Sequence, residues 1–296
     1  MNALVLGFAH SLSSAQALAA QLGLPCDKVG VHRFPDLESL VQVPRSAPTV
    51  VLHRSLNDPN AKLIELILAA SAARDGGARR VVLVAPYLAY MRQDMAFKPG
   101  EAVSQRVIGQ LIAAHFDGIV TVDPHLHRVA TLAQAVPGIP AIALSAAPVL
   151  ASAIEAGQDP VIVGPDSESR QWIESIARPL GLDMLLGSKE RFGDRKVALS
   201  IAGIEKAKGR SAILVDDVIS SGETLIAAAG ALRKAGAQRI EALATHCLAS
   251  SEDLARMTAS GIARIVSTDS IPGPTCGPTL APLLADALKS SGLLQT

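Results

Sequence analysis

Residues 212–225, AILVDDVISSGETL, restrict the fold of this chain more than any other segment. An apolar, β-branched run ends in two adjacent aspartates, then passes through small residues and one glycine into a helix-like pattern. Residues 212–215 read as a strand buried on both faces, and residues 220–224 as the loop at its carboxyl end. Strands of that kind belong to parallel sheets covered by helices. In an open α/β sheet, ligands bind in the crevice beyond the carboxyl ends of the strands. The loop offers successive backbone N–H groups, the hydroxyls of Ser220, Ser221 and Thr224, and the positive end of the following helix. Together these make a phosphate cradle. Asp216 and Asp217 lie just before it, within reach of the hydroxyls of a phosphorylated sugar.

Strand and helix patterns alternate along the rest of the chain. ALVLGF, TVVLHR, RVVLVAPY and GIVTVD are strand candidates in the first half, with LSSAQALAAQLG, NAKLIELILAASAARDGG and SQRVIGQLIAAHF as helices between them. In the second half AIALSA, PVIVGPD, MLLGSKE, SAILVDD, IEALATH and RIVSTDS read as strands, and PVLASAIEAG, ESRQWIESIARPLG and ETLIAAAGALRKAGA as helices. The alternation predicts an α/β protein with two tandem doubly wound parallel-sheet domains. IVTVD at 119–123 and ILVDD at 213–217, both apolar strands ending in aspartate, hint at duplication. The boundary is expected in the PGIPAIAL stretch, giving domains 1–140 and 141–296. Hydrophobic residues are 49% of the chain and aromatics only 3%, so both cores must be aliphatic.

Lys plus Arg and Asp plus Glu are both 27, a balance that argues against a nucleic-acid surface. Cys26, Cys247 and Cys276 are widely spaced, odd in number and without metal-ligand spacing, which suggests a reduced intracellular protein. MNALVLGFAHS lacks the basic start and long apolar core of a signal peptide. No segment is long and apolar enough to span a bilayer, since LIELILAASAA is interrupted by Glu65. The expected location is cytoplasmic, with no membrane partner.

The 212–225 segment resembles the ribose-phosphate binding loop of type I phosphoribosyltransferases and ribose-phosphate pyrophosphokinases. Two such halves in tandem are what the pyrophosphokinases have, and the resemblance covers nearly the whole chain. It implies phosphoribosyltransferase-type domains, with Asp216, Asp217, Ser220, Ser221, Gly222, Glu223 and Thr224 holding ribose phosphate. Many relatives have an acidic residue where this chain has Ser220, so that position is assigned to phosphate binding rather than proton transfer.

Six further segments carry the resemblance. YLAYMRQDMAFKPGE at 87–101 is a charge-dense loop after a buried strand. It is similar to the family's ATP-site segment, which implies ATP contacts from Arg92, Gln93 and Asp94; Met95 departs from the basic residue of many relatives. TVDPHLHR at 121–128 resembles an Asp-x-His motif whose histidine touches ATP phosphates and metal, favouring His125 over His127. VIVGPDSES places Asp166 where the family has a magnesium-associated aspartate, and an N-cap for the following helix is the competing role. SKERFGDRK at 188–196 resembles a flexible catalytic loop, so Lys189 and Arg191 are implied to close over the reacting phosphate. A solvated hairpin is the plain reading of that run.

RFPDLES at 33–39 resembles a hairpin that reaches a neighbouring subunit's adenine pocket. Phe34, Asp36 and Glu38 would then contact ATP, and the enzyme would be a homo-oligomer, dimeric or dimer-based. A polar β-turn around Pro35 is the alternative. ATHCLAS at 244–250 resembles a segment near the ribose phosphate, with Cys247 in place of a common glycine and no catalytic role. The resemblance as a whole implies transfer of the β,γ-diphosphoryl group of ATP to the C1 hydroxyl of ribose 5-phosphate, with Mg2+. The alternatives are a phosphoribosyltransferase using phosphoribosyl pyrophosphate, and a non-catalytic regulatory paralogue.

Overall fold

The computed structural model describes residues 2–126, 128–155, 159–192 and 196–295; the side chains of residues 189–192 and 196–199 lie outside that description. The chain divides into two compact units. One comprises Met1–Ser145 with Ser270–Pro272 and Thr279–Thr296, the other Ala146–Asp269 with Gly273–Pro278.

Strands of the first unit are β1 (Ala3–Gly7), β2 (Cys26–Lys28), β3 (Gly30–Arg33), β4 (Ser39–Gln42), β5 (Thr49–His53), β6 (Arg80–Ala85), β7 (Gly118–Val122) and β8 (Ala141–Leu144). Six of them form a parallel sheet in the order β2-β1-β5-β6-β7-β8, while β3 and β4 make a separate antiparallel hairpin. Every residue of β1, β5 and β7 is buried, which is why these segments are mostly apolar rather than alternating, with Thr49, His53 and Thr121 the buried polar exceptions. Leu63, Leu66 and Ala69 of the helix Pro59–Asp75 and Ile112 of the helix Ser104–His115 pack with Leu6, Leu52 and Leu83 in one aliphatic core.

The second unit contains β9 (Val161–Gly164), β10 (Met184–Phe192), β11 (Lys196–Ile201), β12 (Ser211–Ile219), β13 (Arg239–Cys247) and β14 (Arg264–Ser267). Their order is β11-β10-β9-β12-β13-β14, with β11 antiparallel to β10 and the remaining pairs parallel. Leu214, Val163, Ala242 and Ala244 pack with Ala228, Ala229 and Leu232 of the helix Glu223–Lys234.

These units differ from the expected 1–140 and 141–296 in two respects. AIAL, read as the opening strand of the second half, is β8 at the edge of the first sheet, in register Ile119↔Ala141 to Val122↔Leu144. Its composition suits either sheet, and only its partner decides. The carboxyl-terminal segment also returns to the first unit. The helix Ala281–Ser290 packs on the helix Leu12–Leu22, and Lys289 Nζ donates to the Gln21 carbonyl at 2.8 Å. Among the described residues of PVLASAIEAG, helix covers the first four, as part of Ala147–Ala151.

The two sheets share one plan. In each, the first strand (β1, β9) lies between the second (β2, β10) and the next parallel strand (β5, β12), and an antiparallel excursion intervenes in sequence: β3–β4 in one, the β10–β11 arm in the other. ILVDD therefore has its counterpart in β5, not in the IVTVD strand whose terminal aspartate suggested the duplication. Among the described residues no helix is long and apolar enough to cross a membrane.

Leu288 of the last helix is fully buried in the first unit. Leu288→Ala is expected to cost about 2–5 kcal/mol through the cavity it leaves. Urea unfolding at equilibrium measures the loss.

Candidate active site

β12 runs four residues beyond the expected strand end because Asp216, Val218 and Ile219 continue the ladder with Ala244, His246 and Cys247 of β13. The strand thus carries both aspartates out at its carboxyl end. Successive residues of a strand face opposite ways, so the two carboxylates leave the backbone on different faces. Asp217 is buried and Asp216 half-buried. The Ser169 hydroxyl donates to Asp216 Oδ1 at 3.3 Å and the Asp217 N–H to the same oxygen at 3.0 Å. Burial, then the charges of Asp217 and Asp166, push the pKa of Asp216 up to about 8.

Asp166 follows β9 and caps the 3₁₀ turn Ser167–Ser169: its Oδ1 accepts from the Glu168 N–H at 3.1 Å and from the Ser169 hydroxyl at 3.3 Å. The capping role weighed for Asp166 is thus present. The same carboxylate acts electrostatically on Asp216 through the crevice that Ser169 bridges.

Beyond β12, Ser220 and Ser221 are exposed, Gly222 is buried, Glu223 is exposed and Thr224 half-buried. Gly222 occupies the N-cap position of the helix Glu223–Lys234 with φ +74°, and a Cβ there would overlap the Met257 thioether. Both the left-handed backbone and the close approach require glycine. The Ile226 N–H closes the first helical turn on the Gly222 carbonyl at 2.8 Å, which leaves the preceding N–H groups directed at the loop. The Glu223 carboxylate pairs with Arg256, which also reaches Asp253 at 3.4 Å. Arg256 and Met257, both on the helix Ser251–Ala259, support the loop without having been signalled by any motif. Cys247 ends β13, half-buried.

The basic excursion is an antiparallel arm with Lys189 opposite Leu199 and Arg191 opposite Val197. The side chains of Lys189 and Arg191 lie outside the described residues.

In the first unit, loops after β6 and β7 are tied together. Asp94 accepts from the Arg128 guanidinium at 2.6 Å and from the Arg128 N–H at 3.1 Å. Burial works to raise the Asp94 pKa, but these bonds outweigh it and hold the carboxyl below its ordinary value. Gln93 accepts from the Ser104 hydroxyl through its side-chain oxygen, and its backbone carbonyl accepts from the Gln105 N–H at 3.1 Å. Among the described residues its amide nitrogen makes no hydrogen bond. Arg92 is exposed and His125 half-buried on the adjoining loop, and His127 lies outside the described residues. Arg128 stood in view in TVDPHLHR, but a sequence does not reveal which carboxylate it serves.

Phe34, Asp36 and Glu38 cap the β3–β4 hairpin. The Phe34 N–H donates to the Glu38 carbonyl at 2.9 Å, and the Glu38 N–H to Asp36 Oδ1 at 3.2 Å. The turn forms with Leu37 in the left-handed region at φ +74°. Phe34 is exposed and meets the His32 ring edge-on at 4.9 Å. The base is anchored where Arg33 and the Ser39 hydroxyl both reach Glu65.

Tandem α/β units of this topology, one with a carboxylate pair leading into a glycine-hinged helix N-terminus, define an architecture of phosphoribosyltransferase type. Residues 4–115 match the family model for the N-terminal domain of ribose phosphate pyrophosphokinase, and residues 181–276 that for the phosphoribosyl synthetase-associated domain. The chain is 35% identical over 292 residues to a ribose-phosphate pyrophosphokinase of Methanopyrus kandleri, covering 97% of this chain and 99% of the relative. It is 31% identical over 289 residues to that of Methanothermobacter thermautotrophicus, covering 97% and 100%. The crystal structure of phosphoribosylpyrophosphate synthetase from Mycobacterium smegmatis superposes with a TM-score of 0.84 at 25% identity, over 98% of this chain and 99% of that one. The chain belongs to the ribose-phosphate pyrophosphokinase family.

The raised pKa of Asp216 has a thermodynamic signature. Between the usual carboxylate range and about pH 8 the folded chain keeps a proton that the unfolded chain has released, so stability falls as pH rises through that window. Without divalent cations, Asp216→Asn should raise the melting temperature at about pH 9 and leave it nearly unchanged at about pH 4. Calorimetric scans at both pH values check this.

Proposed function

We propose that this chain transfers the β,γ-diphosphoryl group of ATP to ribose 5-phosphate, and that the residues brought to its strand ends carry the reaction. The C1 hydroxyl oxygen attacks the β-phosphorus. The bond from that phosphorus to the α,β-bridging oxygen breaks, AMP leaves with the oxygen, and the hydroxyl proton is released. The observation that carries the reading is the pairing of Asp216 and Asp217 with the Gly222 loop in a chain whose two halves both match this family.

Asp216 and Asp217 orient the ribose hydroxyls. The N–H groups beyond Gly222, with the hydroxyls of Ser220, Ser221 and Thr224, hold the 5-phosphate. Glu223 contributes its backbone N–H, since its carboxylate is held by Arg256. Arg92, the Gln93 amide nitrogen and His125 hold ATP. Asp94 acts through Arg128, fixing the loop that presents them. Lys189 and Arg191 neutralise charge developing on the β-phosphate and the departing AMP.

A divalent cation fits the donor chemistry near β12. Asp166, Asp216 and Asp217 are hard oxygen donors whose crowding favours a cation. Among the described residues no group of three or more His, Cys, Asp or Glu side chains is placed to hold a metal by itself. That pattern suits Mg2+, which keeps several waters and takes one or two carboxylates together with substrate phosphates. Within the second unit the residues that would hold it are Asp166 and Asp216 or Asp217; it would supply further neutralisation of phosphate charge.

The direct test is incubation with ATP, Mg2+ and ribose 5-phosphate. AMP as the nucleotide product supports diphosphoryl transfer; ADP would make the chain an ordinary kinase. Base-dependent pyrophosphate release without ATP would make it a phosphoribosyltransferase, and ATP binding without AMP would make it a regulatory paralogue. Asp217→Asn should lower turnover at least about tenfold while ATP affinity holds. Unchanged turnover would remove Asp217 from the site.

The exposed hairpin tip supports a dimer-based assembly in which Phe34, Asp36 and Glu38 serve the neighbouring protomer's adenine. Mixing an Asp36→Ala/Glu38→Ala variant with a Lys189→Ala variant should then restore activity, because one of the two sites in a mixed dimer would be wild type. Both variants must first be shown to fold and to exchange subunits. No recovery would put the hairpin outside the partner's site.

A further inference from the structure

The shared strand plan lets the ends of the central strands be compared position by position. β12 delivers Asp216 and Asp217 into the Gly222 loop; its counterpart β5 delivers Arg54 and Ser55 into the loop before the helix Pro59–Asp75. β9 leads to a 3₁₀ turn capped by Asp166, and its counterpart β1 to the turn Ala9–Ser11, whose N-cap position is Phe8. In the second unit Asp166 and Asp216 repel as like charges. In the first unit the corresponding place holds an arginine over an aromatic face, with the Arg54 guanidinium carbon 3.9 Å from the Phe8 ring centre. The charge at this crevice is inverted.

A cavity of about 600 Å³ opens there, within the first unit. Four cationic side chains line it, Lys28, Arg33, Arg54 and Lys62, against two anionic ones, Asp58 and Glu65. Glu65 is buried and already engaged by Arg54, Arg33 and the Ser39 hydroxyl. Arg54 is itself 6% exposed. Its guanidinium spends one N–H on Glu65 and another on the Lys62 carbonyl at 3.3 Å, out of the five it carries. Lys62 donates to the Ser55 carbonyl at 3.1 Å and to Asn57 Oδ1 at 2.8 Å, with a third N–H to give. Lys28 has no ion pair among the described residues. Burial, and then the charge of Arg54, bring the Lys62 pKa down to about 8.

We propose that this cavity is a second anion site, which binds a phosphate dianion either free or as the phosphoryl end of a small monoester. The surplus of two positive charges matches a dianion, and the volume lies in the range of small-molecule sites. A guanidinium fork beside an ammonium is the donor set that phosphate oxygens take. The first unit thereby keeps a ligand crevice at the place where the second binds its sugar phosphate, with the carboxylates that would orient hydroxyls replaced by a cation.

Lys62 gives a local readout. The full chain is acylated with acetic anhydride at about pH 8, and each lysine is quantified by mass spectrometry. Inorganic phosphate is titrated in one arm and ribose 5-phosphate in the other, at ionic strength matched with sodium chloride. Labelling of Lys62 should fall at least about fivefold in one arm or both, while the exposed Lys234 and Lys289 keep theirs; the arm with the lower midpoint identifies the source of the phosphate. Lys28→Ala, at an exposed position where folding is not at stake, should raise that midpoint about three- to tenfold, the effect of one screened charge. Lys62 labelling that stays unchanged in both arms, that falls only in step with Lys234 and Lys289, or that responds identically in Lys28→Ala overturns the proposal.

Discussion

A parallel sheet covered on both faces leaves little room for polar side chains along its strands, and this constraint governs where reactive groups can stand. β1, β5 and β7 are buried at every position, so reactive groups collect where the strands emerge. Asp216 and Asp217 leave β12, Asp166 follows β9, and the Arg92 and His125 loops follow β6 and β7. Chemistry concentrated at one end of each sheet is a consequence of burial before it is a feature of catalysis.

At those ends charge is handled in two opposite ways. In the second unit three carboxylates are held close, and Asp216 carries a proton that a free aspartate would lose. Such crowding of carboxylates favours hydroxyl donors or a cation beside them. In the first unit the buried carboxylate Glu65 is satisfied from three sides by Arg54, Arg33 and Ser39, and the same group secures the base of the β3–β4 hairpin. One duplicated scaffold thus supports a crowded acidic crevice and a basic one.

The sequence was legible where a residue's role is set by its near neighbours. The strand ends, the Gly222 turn and the tandem sheets follow from local pattern, because burial and left-handed backbone leave direct marks on composition. AIAL belongs to the first sheet rather than the second, which its composition does not reveal: an apolar four-residue strand fits any parallel sheet, and the hydrogen-bonded partner that decides lies elsewhere in the chain. Asp94 looked like a ligand group but is closed off by Arg128, 34 residues away. Arg256 and Met257 shape the Gly222 loop from a later helix, and nothing in AILVDDVISSGETL points to them. Pairings between distant residues are what local periodicity does not encode.

The return of Thr279–Thr296 to the first unit makes the second unit, topologically, a long insertion in the first. The helix Ala281–Ser290, part of the first unit, follows the residues of the second in sequence, so during synthesis it emerges after them. Leu293 packs where a side chain at Gly118 would otherwise stand, and the Gly292 carbonyl accepts from Arg80 at 3.1 Å, so β6 and β7 wait for partners made after the second unit. The first unit is therefore completed after the second, and damage in Thr279–Thr296 is felt in a sheet whose strands were made long before it.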